Sequence, residues 1–436
     1  MELGVCLSEK EGVSLDELVI KVRELFETKG MAGVVTTVLG LLDDLLCQQL
    51  QHGQPHPLVT PCCLVPRYEY HGRRGRRVRS SCGRLHMHWH RLRCQCGKTI
   101  VPLRSVLRLV PWQAKTNELE RMVIDVVAEQ SYRRGSRHLR EIGGVPVPRS
   151  TEHRWVAQSL CDDLPAPAAT MDVLMADGTG FKRRPQPEEK ITNRGEVRVA
   201  LGITRSGETV PLGAWTDRTW EDIGKLLKRP SGESLAHVLG SDGEPAIAEH
   251  LARLTGTHQR CHWHQIHDLN YTLWEDKAPR DERRAYQQQL AGMIGIELPA
   301  EDFDRVKDAD KSALTERVAR AETELSSLAA ELLTKGYEHT SRYIAYAKDR
   351  LFSYVRFWLQ TGVAVPKVTS KLERLMREIG RRLKRIAFGW SDAGAAKMTR
   401  IIIKRIVRPA DWKRYWEKRY QCSGTVSVSL RGVYAV

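Results

Sequence analysis

The chain opens with apolar positions at helical spacing. Ser14 and Glu17 form a capping-box pattern at the start of an amphipathic run that ends near Phe26, and a second apolar run extends from Met31 to about Leu50. A stretch containing Gly and Pro follows, which is typical of a linker. We therefore predict an N-terminal helical region over residues 1–57.

Helical periodicity is lost over residues 58–110, where short strands joined by turns fit the pattern best. The block holds five cysteines: Cys62, Cys63, Cys82, Cys94 and Cys96. Four of them form two pairs about thirty residues apart, which resembles a zinc ribbon in overall spacing. The pairs are adjacent (62 and 63) or one residue apart (94 and 96), whereas a ribbon presents Cys-x-x-Cys twice. A Zn²⁺ site and reduced core cysteines therefore remain alternative interpretations, and Cys82 or a histidine between 86 and 90 could replace one ligand.

The next region, over residues 111–161, returns to helical spacing. An apolar pattern from Asn117 to Gln130 leads to an Arg-rich segment and a glycine pair, and a further helix is expected from near Ser150. This arrangement is typical of a helix-turn-helix, for which we predict DNA contacts by four arginines: Arg133, Arg134, Arg149 and Arg154. A purely structural helical hairpin is the alternative. Residues 162–170, with two prolines, are expected to form an interdomain linker.

From residue 171 the pattern changes to that of strands. The predicted elements are a strand at 173–177, strands at 197–203 and 210–215, a helix at 220–228, a strand at 237–241, a helix at 244–254 and a strand at 259–263. Three strands, a helix, a strand, a helix and a strand is the element order of an α/β RNase H-like core. We assign residues 171–275 to its first part and residues 367–408 to its last part.

About 130 residues separate the second strand-end aspartate, Asp242, from the core's last helix. Long runs rich in Ala, Leu, Glu and Arg predict helices at 281–294, 300–334 and 337–359. The core is therefore expected to be interrupted by an all-helical insertion over residues 276–366. Residues 409–436 are left as a C-terminal tail without an assigned role.

The charge balance favours a polyanionic partner. The chain has 69 Lys and Arg against 53 Asp and Glu, a formal net charge of +16, and basic residues concentrate between Arg67 and Arg93 and between Lys371 and Arg408. A solvated, solubilising face is the alternative. Ten cysteines are too few for a disulfide scaffold. The most apolar stretch is interrupted by Asp43 and Asp44, so we expect a cytoplasmic protein with no membrane partner.

Two carboxylates end apolar strands, and both are followed by glycine: Asp177 and Asp242. Carboxylates converging from strand ends suit Mg²⁺, which takes oxygen ligands and can stabilise the charge that develops in phosphodiester chemistry. An ordinary Asp-Gly turn is the alternative for each residue. We predict that a third carboxylate, Glu373, comes from a helix whose exposed Arg374, Arg377 and Arg381 lie along DNA.

Glu373 has two competing interpretations. Ser370 and Glu373 also form a capping-box pattern, in which Glu373 only starts the helix, and Glu378 on the same helix is an alternative ligand.

An ordered set of motifs resembles the DDE transposases of bacterial insertion sequences, in the Mutator-like group. The resemblance covers roughly residues 60–405 and rests on Asp177–Gly180, Ser241–Gly243, Cys261–His264 within Arg260–Asn270, Leu372–Ile379, and Gly389–Gly394. It implies an RNase H-like fold, Mg²⁺ or Mn²⁺, and cleavage and joining of DNA strands. By this resemblance Asp177, Asp242 and Glu373 are the metal-binding triad, and Cys261 and His264 are the family's Cys-x-x-His element.

The predicted partners are transposon-end DNA and target DNA. At least a dimer is expected, since two DNA ends must be joined. Three other functions stay open: a nuclease that only hydrolyses DNA, a non-catalytic DNA-binding protein derived from a transposase, and a zinc-ribbon regulator. Packing or hydrogen bonding explains Cys261 and His264 better than half a zinc site, because no second ligand pair lies nearby in the sequence.

Overall fold

A computed structural model describes residues 30–162, 164, 171–184, 194–385 and 389–420, together with five positions between 16 and 24. Most of the predicted first helix and of the linker over 162–170, and residues 421–436, lie outside the described residues. The chain divides into two compact units. The first comprises the residues up to Ser159 together with those from Lys413 onwards, and the second runs from Leu160 to Trp412.

The first unit begins with a helix on a small antiparallel sheet. Its elements are α1 (Met31–Gln51), β1 (Tyr68–Ser80), β2 (Gly83–Cys94), β3 (Thr99–Ile100) and α2 (Pro102–Val106). The sheet order is β1-β2-β3, and a tight turn joins Ser80 to Gly83. Alternate residues of β2 face the core, including Leu85, Met87 and Trp89, as the period of a half-buried strand requires.

Helix α1 is long and apolar enough, by length and composition, to cross a membrane. Asp43 and Asp44, which interrupt the apolar stretch in the sequence, both lie on this helix. The helix packs against β2, with Ala32 and Leu46 in the shared core. Its Asp43 is buried and accepts hydrogen bonds from the backbone N–H and the Nδ1–H of His90, at 2.6 and 2.9 Å. Both bonds reach Oδ2 and offset part of the cost of burying the carboxylate, whereas Oδ1 has no hydrogen-bond partner among the described residues.

Three helices complete the first unit, with one further helix from the C-terminal region. They are α3 (Asn117–Glu129), α4 (Tyr132–Glu141) and α5 (Arg149–Gln158). Side chains of Thr116 and Ser131 cap α3 and α4 by accepting hydrogen bonds from backbone N–H groups of the first turns. Leu119, Val123, Leu139, Val147 and Trp155 form their common core.

The second unit contains a five-stranded mixed sheet. Its strands are β4 (Met171–Lys182), β5 (Arg194–Ile203), β6 (Thr209–Trp215), β7 (Ala236–Ser241) and β8 (Thr255–Arg260), with α6 (Trp220–Leu227) and α7 (Pro245–Leu251) in the crossovers. The sheet order is β6-β5-β4-β7-β8. The β4–β5 and β5–β6 pairs are antiparallel, whereas β7 lies parallel to both β4 and β8. The first four strands overlap the runs that predict them, whereas the strand predicted over 259–263 lies earlier, at Thr255–Arg260, and residues from His262 already belong to the next helix.

Five α-helices follow β8, between residues 262 and 361. They are α8 (His262–Glu275), α9 (Arg280–Ile294), α10 (Asp308–Thr334), α11 (Glu338–Ala347) and α12 (Ser353–Thr361). The helix predicted over 337–359 is in fact split by a 3₁₀ turn at Lys348–Arg350, and the residues 300–307 are not α-helical. The split lets backbone and side chains near α12 bind β8: Gln259 Nε2 donates to the Leu351 oxygen at 3.0 Å, and Ser353 Oγ donates to the His258 oxygen at 2.7 Å.

The remaining helices are α13 (Ser370–Lys384), α14 (Asp392–Val407) and α15 (Pro409–Tyr420). Helix α13 packs against the central strand β4, and α14 packs against β6 and β5. The predicted tail over 409–436 therefore begins as a helix. In the first unit its end contacts α3, where Asn117 Nδ2 donates to the Arg419 oxygen at 2.7 Å.

Candidate functional site: an acidic centre and a thiol cluster

The two aspartates belong to neighbouring parallel strands. The β4–β7 pairing runs as far as Met175 with Gly240, and Asp177 and Asp242 each follow two residues later. Asp242 directly follows β7, whereas Asp177 lies within β4, which continues to Lys182 along β5, so the prediction that its strand ends at Asp177 is wrong. Equal offsets from a paired position bring the two residues to the same level, just beyond the last β4–β7 pair. The sheet therefore brings together the first two carboxylates that the sequence predicts.

The pKa of Asp177 indicates that these two carboxyl groups interact. Burial, and after it the charge of Asp242, raises the pKa of Asp177 to about 7, against the lowering effect of a hydrogen bond from the Gly178 backbone N–H. Asp242 accepts a hydrogen bond from the Glu244 backbone N–H at 2.9 Å, which holds its side chain in the turn after β7. Two partly buried acids that repel one another form a site that a cation would stabilise.

Each aspartate is followed by a glycine, and a larger residue at either position would force a neighbouring side chain to move. A Cβ on Gly178 would lie 2.2 Å from Oε1 of Glu196. Gly243 has a φ of +98°, and a Cβ there would lie 1.4 Å from Nη1 of Arg260. The guanidinium of Arg260 also donates to the Gly243 oxygen at 3.1 Å. Close packing around the acids thus explains both Asp-Gly pairs.

Glu373 reaches the same region from helix α13. Thr369 Oγ1 donates to Oε1 of Glu373 at 2.8 Å, and His264 Nδ1 lies 3.7 Å from that oxygen. The predicted capping box does not form, because the helix begins at Ser370 with Thr369 as N-cap and no side chain caps it. Glu378 instead pairs with Arg381 at 2.8 Å, so its carboxylate is engaged at the surface.

Cys261 and His264 lie at the start of α8, between β7 and α13. The Cys261 backbone N–H donates to the Ser241 oxygen at 2.8 Å, and its sulfur accepts from the Thr369 N–H at 3.4 Å and lies 3.7 Å from Glu373 Oε1. Burial opposes charge on both groups. Hydrogen bonding with His264 and Thr369 nevertheless lowers the pKa of Cys261, and the Cys261 thiolate and the charge of Asp242 raise the pKa of His264 to about 9. Cys261 and His264 therefore stabilise each other's charged forms beside the acids.

The donor atoms fall into two sets. Among the described residues, the donor atoms of Asp177, Asp242 and Glu373 do not all come within 4.8 Å of one another, and Glu373 groups with Cys261 and His264 instead. The aspartate pair offers only carboxylate oxygens, the ligands that Mg²⁺ and Mn²⁺ take. The residues at the strand ends therefore fit a hard divalent cation.

Two further acids at this site were missed from the sequence. Glu196 lies over Gly178, and Glu244 accepts a hydrogen bond from Trp220 Nε1 at 3.1 Å. Burial, and then the charges of Glu196 and Asp242, raises the pKa of Glu244. The two-residue offset of Glu244 from Asp242 was a usable signal, whereas Glu196 is distant in sequence and only the β4–β5 pairing brings it near.

The four paired cysteines of the first unit form a single cluster. Sulfurs of Cys62, Cys63, Cys94 and Cys96 all lie within 4.8 Å of one another. The Cys63–Cys94 distance is 3.7 Å and the Cys62–Cys96 distance is 3.5 Å, and none of these cysteines is in a disulfide. A tetrahedral ion with bonds of about 2.3 Å to sulfur separates its ligands by roughly 3.8 Å.

The local backbone shapes this cluster for a cation. Cys94 ends β2, and the following turn passes through Gly97 at a φ of +86°. A hydrogen bond from the Cys96 backbone N–H lowers the pKa of Cys94 to about 6, whereas desolvation and the neighbouring thiols raise the pKa of Cys63 to about 12. Cys82 lies at the opposite end of the hairpin, beside the Ser80–Gly83 turn, so it does not replace a ligand. The cluster could hold a metal such as Zn²⁺.

The seven arginines predicted to contact DNA are exposed: Arg133, Arg134, Arg149, Arg154, Arg374, Arg377 and Arg381. The first four lie on α4 and α5 of the first unit, and the last three lie on the outer face of α13 in the second. Leu372, Leu375, Ile379 and Leu383 occupy the buried face of α13. The helix is thus amphipathic, with basic side chains opposite the sheet.

Comparison with known proteins gives a structural likeness and no sequence match. No protein-family model matches the chain, and no curated protein sequence matches it. Among solved structures, the chain is similar to the Drosophila P element transposase strand transfer complex, with a TM-score of 0.25 and 10% sequence identity over 68% of this chain and 80% of that chain.

Proposed function

We propose that this protein is a DNA transposase that cleaves the ends of an insertion sequence and joins the freed 3′-hydroxyl to target DNA. The observation that carries the proposal is the position of Asp177 and Asp242, at equal offsets beyond a paired position on adjacent parallel strands. Glu373 is the third acid, on a helix that packs against the same strand as Asp177.

The sheet supports an RNase H-like core. Numbered along the chain, its strands lie in the order 3-2-1-4-5, with three antiparallel strands followed by two parallel ones. This is the arrangement we expect of an RNase H-like sheet, in which acids at the ends of the first and fourth strands become neighbours. Asp177 lies in the first of these strands, and Asp242 directly follows the fourth.

In this proposal each part of the site has a distinct role. Asp177, Asp242 and Glu373 would hold Mg²⁺ or Mn²⁺, which when bound supplies neutralisation of charge on the reacting phosphate and activation of the attacking oxygen. Strand β4 fixes Asp177, the turn after β7 fixes Asp242, and Thr369 orients Glu373 by its hydrogen bond. The basic face of α13 would bind the DNA backbone beside the acids.

The first unit would position the DNA. Its cysteine cluster, with Zn²⁺ held by Cys62, Cys63, Cys94 and Cys96, would stabilise the small sheet. The α4–α5 pair would contact DNA through exposed arginines on short helices. A dimer or larger assembly on DNA follows from the need to bring two ends together.

The test is Mg²⁺-dependent cleavage and strand transfer on DNA carrying the flanking ends of the element. Asp177→Asn, Asp242→Asn and Glu373→Gln should each lower both activities by about 100-fold or more, because each removes a charge needed in the transition state. DNA binding should change less than about twofold. Glu378→Gln is the matched control on the same helix and should stay active.

Other outcomes would select the alternatives. Cleavage without strand transfer would indicate a nuclease, and DNA binding without either activity in the wild type would indicate a non-catalytic DNA-binding protein. An active Glu373→Gln beside an inactive Glu378→Gln would move the third acid to Glu378.

A further inference from the structure

Helix α8 carries a row of exposed rings that begins at the acidic centre. From His262 to Trp274, the exposed positions of the helix are Trp263, His267, Tyr271 and Trp274. Trp263 is 48% exposed, Tyr271 55% and Trp274 65%. Their spacing of four, four and three residues places them on one face, while Gln265, Leu269 and Leu273 are buried on the other.

The rings already form a partly stacked surface. His267 stacks on Trp263 with a centroid distance of 4.5 Å and an interplanar angle of 13°, and it meets Tyr271 edge-on at 5.4 Å. Asp268 lies 2.7 Å from Nδ1 of His267, within hydrogen-bond distance, which holds the imidazole in this orientation. Such an exposed apolar row is costly in water and marks a binding surface.

The row is continuous with the acidic centre. The Trp263 ring lies 4.8 Å from that of His264, whose Nδ1 is 3.7 Å from the Glu373 carboxylate. A strand whose phosphate reaches the acids would have its next nucleotides beside these rings.

We propose that this face of α8, formed by Trp263, His267, Tyr271 and Trp274, binds the unpaired nucleotides of a DNA end by stacking. Base–aromatic stacking accepts any base, and it requires exposed ring faces rather than the aliphatic side chains of a typical protein–protein seam. The formal charge of +16 favours a polyanionic occupant.

The rings can accept only unpaired bases. Trp263 and His267 are already stacked on each other at 4.5 Å, so the row offers its outward ring faces and edges and no gap between these two rings. Bases in a duplex are paired and stacked on their own neighbours, so only an unpaired base has a face free to lie on these rings. This inference rests on the proposed action on DNA and adds a subsite to it.

The experiment compares two DNA probes in EDTA, so that no reaction occurs. One is a duplex with a short single-stranded 3′ extension containing 2-aminopurine, and the other is the same duplex with blunt ends. Trp263→Ala and Trp274→Ala should each weaken binding of the extended probe by roughly tenfold. Binding of the blunt probe should change less than about twofold, and the quenching of 2-aminopurine that stacking produces should be lost.

Two variants serve as controls. Trp263→Phe keeps a stacking ring and should recover most of the binding and quenching. Tyr346→Ala removes a ring of comparable exposure, 45%, from helix α11 and should bind both probes like the wild type.

Three results would overturn the proposal. The first is that both alanine variants bind the extended probe as the wild type does. The second is that the variants bind both probes more weakly to the same extent. The third is that the variants sediment as monomers where the wild type is a dimer and still bind DNA, which would make the face a protein interface. Failure of the proposed function is separate, because it would appear as a wild type that neither cleaves nor joins DNA in Mg²⁺ while the binding results above stand.

Discussion

A single buried carboxyl group sets a pH dependence in the first unit. Glu152, on α5, is fully buried, and neither of its carboxyl oxygens has a hydrogen-bond partner among the described residues. Burial alone raises its pKa to about 8. The carboxyl group is therefore protonated in the folded protein at neutral pH and ionised in the unfolded chain.

We predict that Glu152 makes the first unit less stable as pH rises from about 5 to 8. Below the unfolded pKa of about 4.5 both states are protonated, and above it the unfolded state gains by ionising while the folded state cannot until about pH 8. Glu152→Gln should remove this loss, worth about 2–4 kcal/mol of unfolding free energy at pH 8. Calorimetry across this pH range measures it.

Glu118→Gln is the control for this prediction. Glu118 is exposed on α3, so its substitution should leave the pH dependence as in the wild type. An unchanged pH profile for Glu152→Gln would mean that Glu152 is ionised and solvated in the folded protein.

At the scale of elements, the β2–β3 turn and the loop before β1 depend on one another through the thiol cluster. We predict that the purified protein binds one Zn²⁺ and that Cys96→Ser loses it, because three remaining thiols give an incomplete tetrahedral site. Chelation of the wild type should lower the unfolding temperature of the first unit to that of the variant.

Cys82→Ser is the matched control, since Cys82 lies at the other end of the same hairpin. It should keep the zinc content and the unfolding temperature of the wild type. Equal zinc content in Cys96→Ser and the wild type would instead leave the four thiols as reduced core cysteines.

Elements with strong local signals could be predicted from the sequence. The apolar runs of β4 and β7 are short and nearly continuous, as in strands buried on both faces, and each is followed by the aspartate that lies at an equal offset in the sheet. The break at Lys348–Arg350 could not be predicted, because three charged residues without Gly or Pro favour a continuous helix. Its cause is tertiary: Leu351 and Ser353 bond to β8 residues distant in sequence.

In the candidate site, too, contacts between residues distant in sequence could not be predicted. Glu373 borders an apolar stripe, so its position beside the sheet could be predicted from period alone. Its partners could not, because Cys261 and His264 lie more than a hundred residues earlier and meet it only through the packing of α8 and α13. Glu196 was missed for the same reason.

At the scale of the whole molecule, the excess of basic charge predicts strong salt dependence of DNA binding. Each phosphate contact releases about one counterion, so Arg374→Ala should reduce the slope of log affinity against log salt by about 1. Arg342 is equally exposed but pairs with Glu338 at 2.8 Å on α11. Arg342→Ala should leave the slope unchanged, and equal slopes for all three proteins would place DNA elsewhere than on α13.

The return of the chain to its first unit has a consequence for biosynthesis. Arg419 contacts Asn117 and Glu120, so residues some three hundred positions apart belong to one compact unit. The second unit, which ends at Trp412, can be complete while the first still lacks its last helix. On the ribosome, the part of the protein that is made first is therefore the last to be finished, and a prematurely terminated chain would keep the acidic centre on a scaffold whose N-terminal unit is incomplete.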